Sequence, residues 1–138
     1  MRKPLTIISI ALLAMACGKE LDPETLSSNP FDPDYTGPEV FVFDTTYTQN
    51  VVIPSGVVTY QVIGFHVRSE LLPTGAHYSV QAVQVATGEV SMLNPDPPNS
   101  HSFKYQKVNP VAGVPECVRL SLFNNASSAR PEQICATL

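Results

Sequence analysis

From Cys117 to Cys135 the chain reads CVRLSLFNNASSARPEQIC, and this segment is the clearest indication of the fold. Its first part alternates apolar and polar residues, with Val118, Leu120 and Leu122 in the apolar phase. That period of two predicts a strand with one buried face. A loop rich in Asn and Ser follows, and the alternation then resumes. If the two strands pair around the middle of that loop, Cys117 faces Cys135 across an antiparallel hairpin.

The rest of residues 39–138 extends the same pattern. Segments rich in β-forming residues, separated by Pro, Gly and Asn turns, lie at residues 40–48, 57–69, 78–85, 90–92, 103–107, 117–122 and 133–138. No segment shows a convincing helical period. About seven short strands in about a hundred residues predict a single all-β domain, an antiparallel immunoglobulin-like sandwich.

The second of these segments changes the phase of its alternation. Val62 ends one phase, and Ile63 and Phe65 belong to the other. Because Gly64 lies at the change, and glycine inside a strand often marks a bulge, we expect a β-bulge here. The third segment, residues 78–85, is expected to change phase in the same way.

Residues 118–132 resemble the final hairpin of fibronectin type III domains, in which an alternating strand with an Arg runs into an Asn-rich loop and a last strand. The resemblance implies a sandwich of the fibronectin type III kind. The chain departs from that family at two places. It contains no Trp, and Glu116 stands where a Tyr often begins the penultimate strand.

The N-terminus has the features of an export signal. A basic head, Met1 to Lys3, precedes an uncharged apolar run over residues 5–16, which is too short for a stable membrane span. The run ends in Leu13-Ala14-Met15-Ala16-Cys17, which resembles the lipobox of bacterial lipoproteins, although that family usually has Leu where Ala14 stands. The resemblance implies that residues 1–16 are removed and that Cys17 is acylated, with palmitate among the acyl groups. Plain secretion and an uncleaved anchor are the alternatives.

Two features describe how the chain would be held. In well-studied lipoproteins an Asp after the acylated Cys favours the inner membrane, so Gly18 implies a lipid anchor in the outer membrane. Residues 17–38 form a tether in this interpretation, because they are rich in Pro and acidic residues and have no apolar period. Asp32 and Asp34 could bind Ca²⁺, but without further oxygen ligands at regular spacing we interpret them as turn residues.

The cysteines support an oxidised, exported domain. The chain has three Cys, and acylation of Cys17 leaves Cys117 and Cys135. Both lie in the polar phase of their strands, so we predict a disulfide on the outer face of the sandwich. A metal or redox pair is the alternative, and it lacks neighbouring His or Cys ligands.

The sequence carries no motif of catalysis or cofactor binding. It has no Gly-rich phosphate loop and no nucleophile elbow, and the chain is acidic, with a net charge of -4, which argues against nucleic acid. His66, His77 and His101 lack ligand spacing. We therefore expect no enzyme, no metal site and no cofactor.

Two functions remain as expectations. The first is a non-enzymatic lipoprotein of the cell envelope that presents its β-sandwich to another envelope protein. The alternative is a glycan-binding accessory of an uptake or adhesion system. A glycan site would need exposed aromatic residues in a row, and Tyr78, Phe103 and Tyr105 are the candidates, although core positions are the commoner fate of such residues.

Overall fold

The computed structural model describes residues 28–124 and 127–138, and these residues form seven antiparallel β-strands. The strands are β1 (Phe41–Ile53), β2 (Gly56–Val67), β3 (Ser79–Gln84), β4 (Val90–Leu93), β5 (Ser102–Val108), β6 (Glu116–Phe123) and β7 (Glu132–Ala136). A single turn of 3₁₀-helix, Ser69–Leu71, follows β2, and the described residues contain no α-helix. The predicted all-β class and strand number are confirmed.

The strands form two sheets that enclose one core. The first sheet has the order β1-β2-β5 and the second has the order β4-β3-β6-β7. The chain therefore crosses between the sheets three times, after β2, β4 and β5. Both sheets contribute to the same cluster of buried apolar side chains, so the predicted β-sandwich is confirmed.

The core is made by the inward phase of each alternation. Phe65 lies at its centre, with its ring centroid 5.9 Å from that of Phe41 and 5.8 Å from that of Phe103. From the second sheet, Leu120 and Leu122 are fully buried. Burying each such side chain contributes about 1.5–3 kcal/mol, so the aromatic and leucine pairs supply much of the stabilisation.

The bulge predicted beside Gly64 occurs at that level of the sheet, but in the neighbouring strand. Phe43 pairs with Phe65 and Thr45 with Gly64, so Asp44 of β1 is the extra residue. A Cβ atom on Gly64 would lie 3.1 Å from the Thr45 Cγ2 atom. Glycine at position 64 thus gives the bulged strand room to pass.

The third strand does not change phase, contrary to expectation. Val80, Ala82 and Gln84 of β3 are buried in one unbroken alternation, and Val83 is only half-buried. The expected change after Ala82 is wrong because the polar Gln84 occupies the inward phase and is hydrogen-bonded there.

Residues 28–38 precede the domain boundary expected at residue 39, and two aromatic residues of this segment lie in the sandwich core. Phe31 and Tyr35 are buried in the core cluster. The backbone N–H of Asp32 donates to the carbonyl of Asn29, and that of Tyr35 donates to the carbonyl of Asp32, which folds the segment into turns. The Ser127 hydroxyl donates to the Phe31 carbonyl at 2.9 Å. The part of the expected tether that the structure describes therefore packs against the sandwich.

Candidate functional site

The last hairpin has the register predicted from its sequence. Cys117 pairs with Cys135, and their Sγ atoms lie 2.05 Å apart, at disulfide distance. Cys135 is exposed and Cys117 half-buried, on the side opposite to the inward Val118. The cysteine pair thus joins β6 and β7 on the outer face of the second sheet. Cys17 lies outside the described residues.

The three aromatic candidates for a glycan platform do not form an exposed row. Phe103 and Tyr105 are buried in the core between the sheets. Tyr78 is half-buried, and its ring stacks on His101 with the centroids 6.1 Å apart. Its hydroxyl lies 2.6 Å from the His101 Nδ1 atom, and burial raises the pKa of Tyr78. These three residues therefore do not make the row that a glycan site would need, because two of them fill the core, which is the commoner position for such residues.

A shallow cleft lies beside this Tyr78–His101 pair. It has a volume of about 450 Å³ and is lined by Ser69, Glu70, residues 72–76 and His101. The histidines are not brought together, because His66 contacts Asp44 at 2.7 Å on another surface and His77 is exposed. Among residues 28–124 and 127–138, no group of three or more His, Cys, Asp or Glu side chains could hold a metal ion. Asp34 donates its backbone N–H to Asp32, as expected of a turn.

A polar cluster closes the opposite end of the sandwich. Gln84 Nε2 donates to Glu116 Oε1 at 2.8 Å, and the Thr87 hydroxyl donates to Gln84 Oε1 at 2.6 Å. The Tyr105 hydroxyl donates to the same Glu116 oxygen at 3.4 Å. Burial, together with the nearby Glu116 carboxylate, raises the pKa of Tyr105 to about 12. Sequence reasoning missed this cluster because polar residues in a strand suggest the outer face.

A second buried glutamine ties the first sheet to the C-terminus. Gln61 Nε2 donates to the Ala136 carbonyl at 3.1 Å and to the Thr46 hydroxyl at 3.4 Å. Gln61 lies in the inward phase of β2, next to Ile63. Like Gln84, it satisfies its hydrogen bonds inside the sandwich, which offsets the cost of burying an amide.

Beyond Gln61 the β1–β2 hairpin extends past the sandwich. The last residue of β5, Val108, pairs with Tyr60, so nearly all of the remaining hairpin has only two strands. We call residues 47–60 the arm. Its strands are joined by the Pro54–Ser55 turn, and Ile53 pairs with Gly56 next to that turn.

Next to the sandwich, the two faces of the arm have the opposite polarity to those of the sandwich, whereas at the tip the inward phase holds Val52 and Val57. Thr59 lies on the same face of β2 as the inward Ile63, and it pairs with Asn50 of β1. The Thr59 hydroxyl donates to Asn50 Oδ1 at 2.9 Å. The outward phase is mostly apolar: it holds Tyr47, Val51, Ile53, Val58 and Tyr60, together with Gln49 and Gly56. The change of phase at Val62 and Ile63 in the sequence therefore marks where the hairpin leaves the core.

Other exposed apolar residues lie at the same end of the molecule. Val52 and Val57 pair at the tip of the arm and are 81% and 64% exposed. Val111 and Val114, in the loop between β5 and β6, are 65% and 53% exposed. The backbone N–H of Asn109 donates to the Thr59 carbonyl at 2.9 Å, so this loop begins beside the arm. We call this end the distal end, since residues 28–40 enter at the other end, where β1 begins.

The described residues hold no helix with the length and apolar character needed to cross a bilayer. Comparison of the chain with protein-family models, with curated proteins and with solved structures finds no match.

Proposed function

We propose that this chain is a non-enzymatic lipoprotein of the cell envelope, whose sandwich presents its distal end to another envelope protein. The observation that carries the proposal is the exposed valines at that end: Val52 and Val57 pair with each other at the tip of the arm, and Val111 and Val114 lie in the loop that begins beside it. Exposed apolar side chains scattered singly are ordinary on a soluble protein, whereas a group of them marks an interaction surface.

The sandwich supports an immunoglobulin-like assignment of the fibronectin type III kind. In immunoglobulin sandwiches the second strand neighbours the fifth, and the third neighbours the sixth. Here β2 pairs with β5, and β3 pairs with β6, in sheets of three and four strands. The fourth strand lies beside β3, whereas in constant-type immunoglobulin domains it belongs to the other sheet.

The direction of the chain fits an anchor at the N-terminus. Residues 28–40 enter at the end of the sandwich opposite to the distal end. A lipid on Cys17 would therefore hold the entry end toward the membrane and leave the exposed valines facing away from it. Acylation by the lipobox and delivery to the outer membrane are part of this proposal. The glycan-binding alternative has less support, because Phe103 and Tyr105 lie in the core.

The partner contact is tested by placing a photo-crosslinking amino acid in the full chain within envelope membranes. At Val111 we expect a crosslinked species with a second protein. The matched control is Thr74, an exposed loop residue at the entry end. Absence of any species at Val111 and Val52, or the same species at Thr74, would contradict the proposed surface.

The anchor is tested separately with Cys17→Ser. We expect the wild-type chain to incorporate a palmitate analogue and the variant to lose the label and be mislocalised. A variant that still carries the label, or a wild-type chain that carries none, would show that Cys17 is not acylated.

A further inference from the structure

We propose that two copies of this chain pair through the outer edge of β1 in the arm, antiparallel and arm to arm. This goes beyond the proposed function, which concerns contact with a different protein. The proposal stands on the open edge of β1, on the lack of protective residues along it, and on the way the edge complements itself.

The edge of β1 is covered at its start and open at its end. The Glu132 carboxylate accepts hydrogen bonds from the backbone N–H groups of Val40 and Phe41 at 2.8–3.0 Å. Gln61 holds the C-terminus close to Thr46. From Tyr47 to Ile53, β1 pairs with β2 on one side, and no strand among the described residues pairs with it on the other. A row of backbone donors and acceptors is thus left free there.

The other edge strands are short or covered. β4 and β7 have four and five residues, whereas β1 has 13. The edge of β5 is covered at Ser102, whose carbonyl accepts the backbone N–H of Asp96 at 2.8 Å, and Lys104 pairs with the Asp96 carboxylate at 2.7 Å. Short strands and covering loops are the usual protection against edge-to-edge pairing.

The open part of β1 has none of this protection. Between Thr45 and Phe65 the hairpin carries no charged residue, and its one Pro lies in the turn. Natural edge strands commonly carry Lys or another charge that repels a second strand. Between Tyr60 and the turn, the arm is also a two-stranded ribbon, which is marginally stable in water without further strands. Pairing with the arm of a second copy would make a four-stranded sheet.

The edge is complementary to itself, and this favours a second copy as the occupant. In an antiparallel pair centred on Asn50, Tyr47 of one copy lies opposite Ile53 of the other, and their exposed fractions are 38% and 37%. An aromatic residue opposite a β-branched one is a favourable cross-strand pair. The pairing obeys two-fold symmetry and places the apolar outward faces of both arms on one side of a continuous sheet.

A disulfide trap tests the register. Asn50→Cys in the full chain places two thiols opposite each other at the two-fold axis, within disulfide reach. We expect a disulfide-linked dimer in oxidised envelope membranes, on a non-reducing gel. Thr48→Cys is the matched control, because its expected partner is Val52: alone it should form no dimer, and together with Val52→Cys in a second copy it should.

A pair of oppositely charged variants distinguishes loss of pairing from misfolding, because misfolded variants would not regain pairing when mixed. Two copies with different tags are expressed together, and one tag is used to capture the other. We expect wild-type copies to be captured, Asn50→Lys copies and Asn50→Asp copies to lose capture, and a mixture of the two variants to regain it. Gln133→Lys, on the exposed side of β7, should leave capture unchanged.

Two results would overturn the proposal: wild-type copies that do not capture each other, or capture that persists in Asn50→Lys without an Asn50→Cys disulfide. The crosslinker at Val111 separates this outcome from failure of the proposed function. If copies do not pair but Val111 still crosslinks a second protein, the proposed function stands. If copies pair and Val111 captures no other protein, the dimer stands alone.

Discussion

Strand β2 passes through two environments, and the same alternation is used in opposite ways in each. In its second half, Ile63 and Phe65 point inward and are fully buried. In its first half, Val58 and Tyr60 lie on the outward face, and Thr59 takes the inward phase. The period of two is unbroken, and what changes is the face that is apolar. Apolar residues at every second position thus show which face of a strand is apolar, but they do not always show that this face lies in the core.

The largest expected effect is in the sandwich half of this comparison. Phe65→Ala removes the ring between Phe41 and Phe103 and leaves a cavity. We expect the free energy of unfolding to fall by about 3–5 kcal/mol. Urea denaturation measures it as a lower midpoint with a similar slope. A loss below about 1 kcal/mol would mean that Phe65 is not central to the core, since ordinary surface changes cost less than that.

The next effect concerns the cysteine pair, which joins two strands of the sandwich and none of the arm. Replacing Cys117 and Cys135 by Ser should lower the free energy of unfolding by about 2–4 kcal/mol and leave the fold intact, since the pair lies outside the core. Denaturation with a circular dichroism spectrum of the folded state checks both parts. Two free thiols in the purified exported domain, found by mass spectrometry under non-reducing conditions, would contradict the disulfide.

The sequence predicts the fold correctly where the apolar alternation of a strand matches its burial in the sandwich. The register of Cys117 with Cys135 follows from an alternation on each side of one loop, and the structure has that register. The change of phase at Val62 is visible in the sequence, but its cause is not. The sequence alone favours a bulge in β2, because it shows a change of phase without showing where the sheet ends.

The errors arose where polar residues and prolines conceal buried positions. Gln61 and Gln84 lie inward because each finds hydrogen-bond partners inside the sandwich, and those partners are distant in sequence. The Pro and Asp residues around Phe31 and Tyr35 favour a tether when the sequence is considered alone. Their burial depends on contacts with the far end of the chain, such as the one between Phe31 and Ser127.

A smaller, pH-dependent effect is expected at Tyr105, on the boundary between sandwich and arm. Its pKa is raised from 10.0 to about 12 in the folded chain, by burial and by Glu116. The unfolded chain therefore loses this proton first, so the folded state loses stability as the pH rises from 10 to 12. Tyr105→Phe should lose less stability over that range. The variant should still lose some stability over this range, because the pKa values of Tyr35 and Tyr78 are also raised. Parallel curves for both proteins, from urea denaturation at several pH values, would contradict the role of Tyr105.

The smallest effect on stability, and the sharpest comparison, comes from one substitution made at two places on the outward face of β2. Val58→Thr lies in the arm and Val62→Thr in the sheet, where Val62 is fully buried between its neighbours. At Val62 the hydroxyl would be buried, so we expect a loss of about 1–3 kcal/mol. At Val58 water can solvate it, so the change should stay within about 0.5 kcal/mol. Thr keeps the β-branched shape of Val, so strand propensity does not explain a difference.

Equal losses at both positions in urea denaturation would show that the arm is covered within the isolated chain, and its apolar face would then need no partner. If Val58→Thr leaves stability unchanged but weakens capture of a second copy, the outward face of the arm contributes to the dimer and not to the fold of one chain.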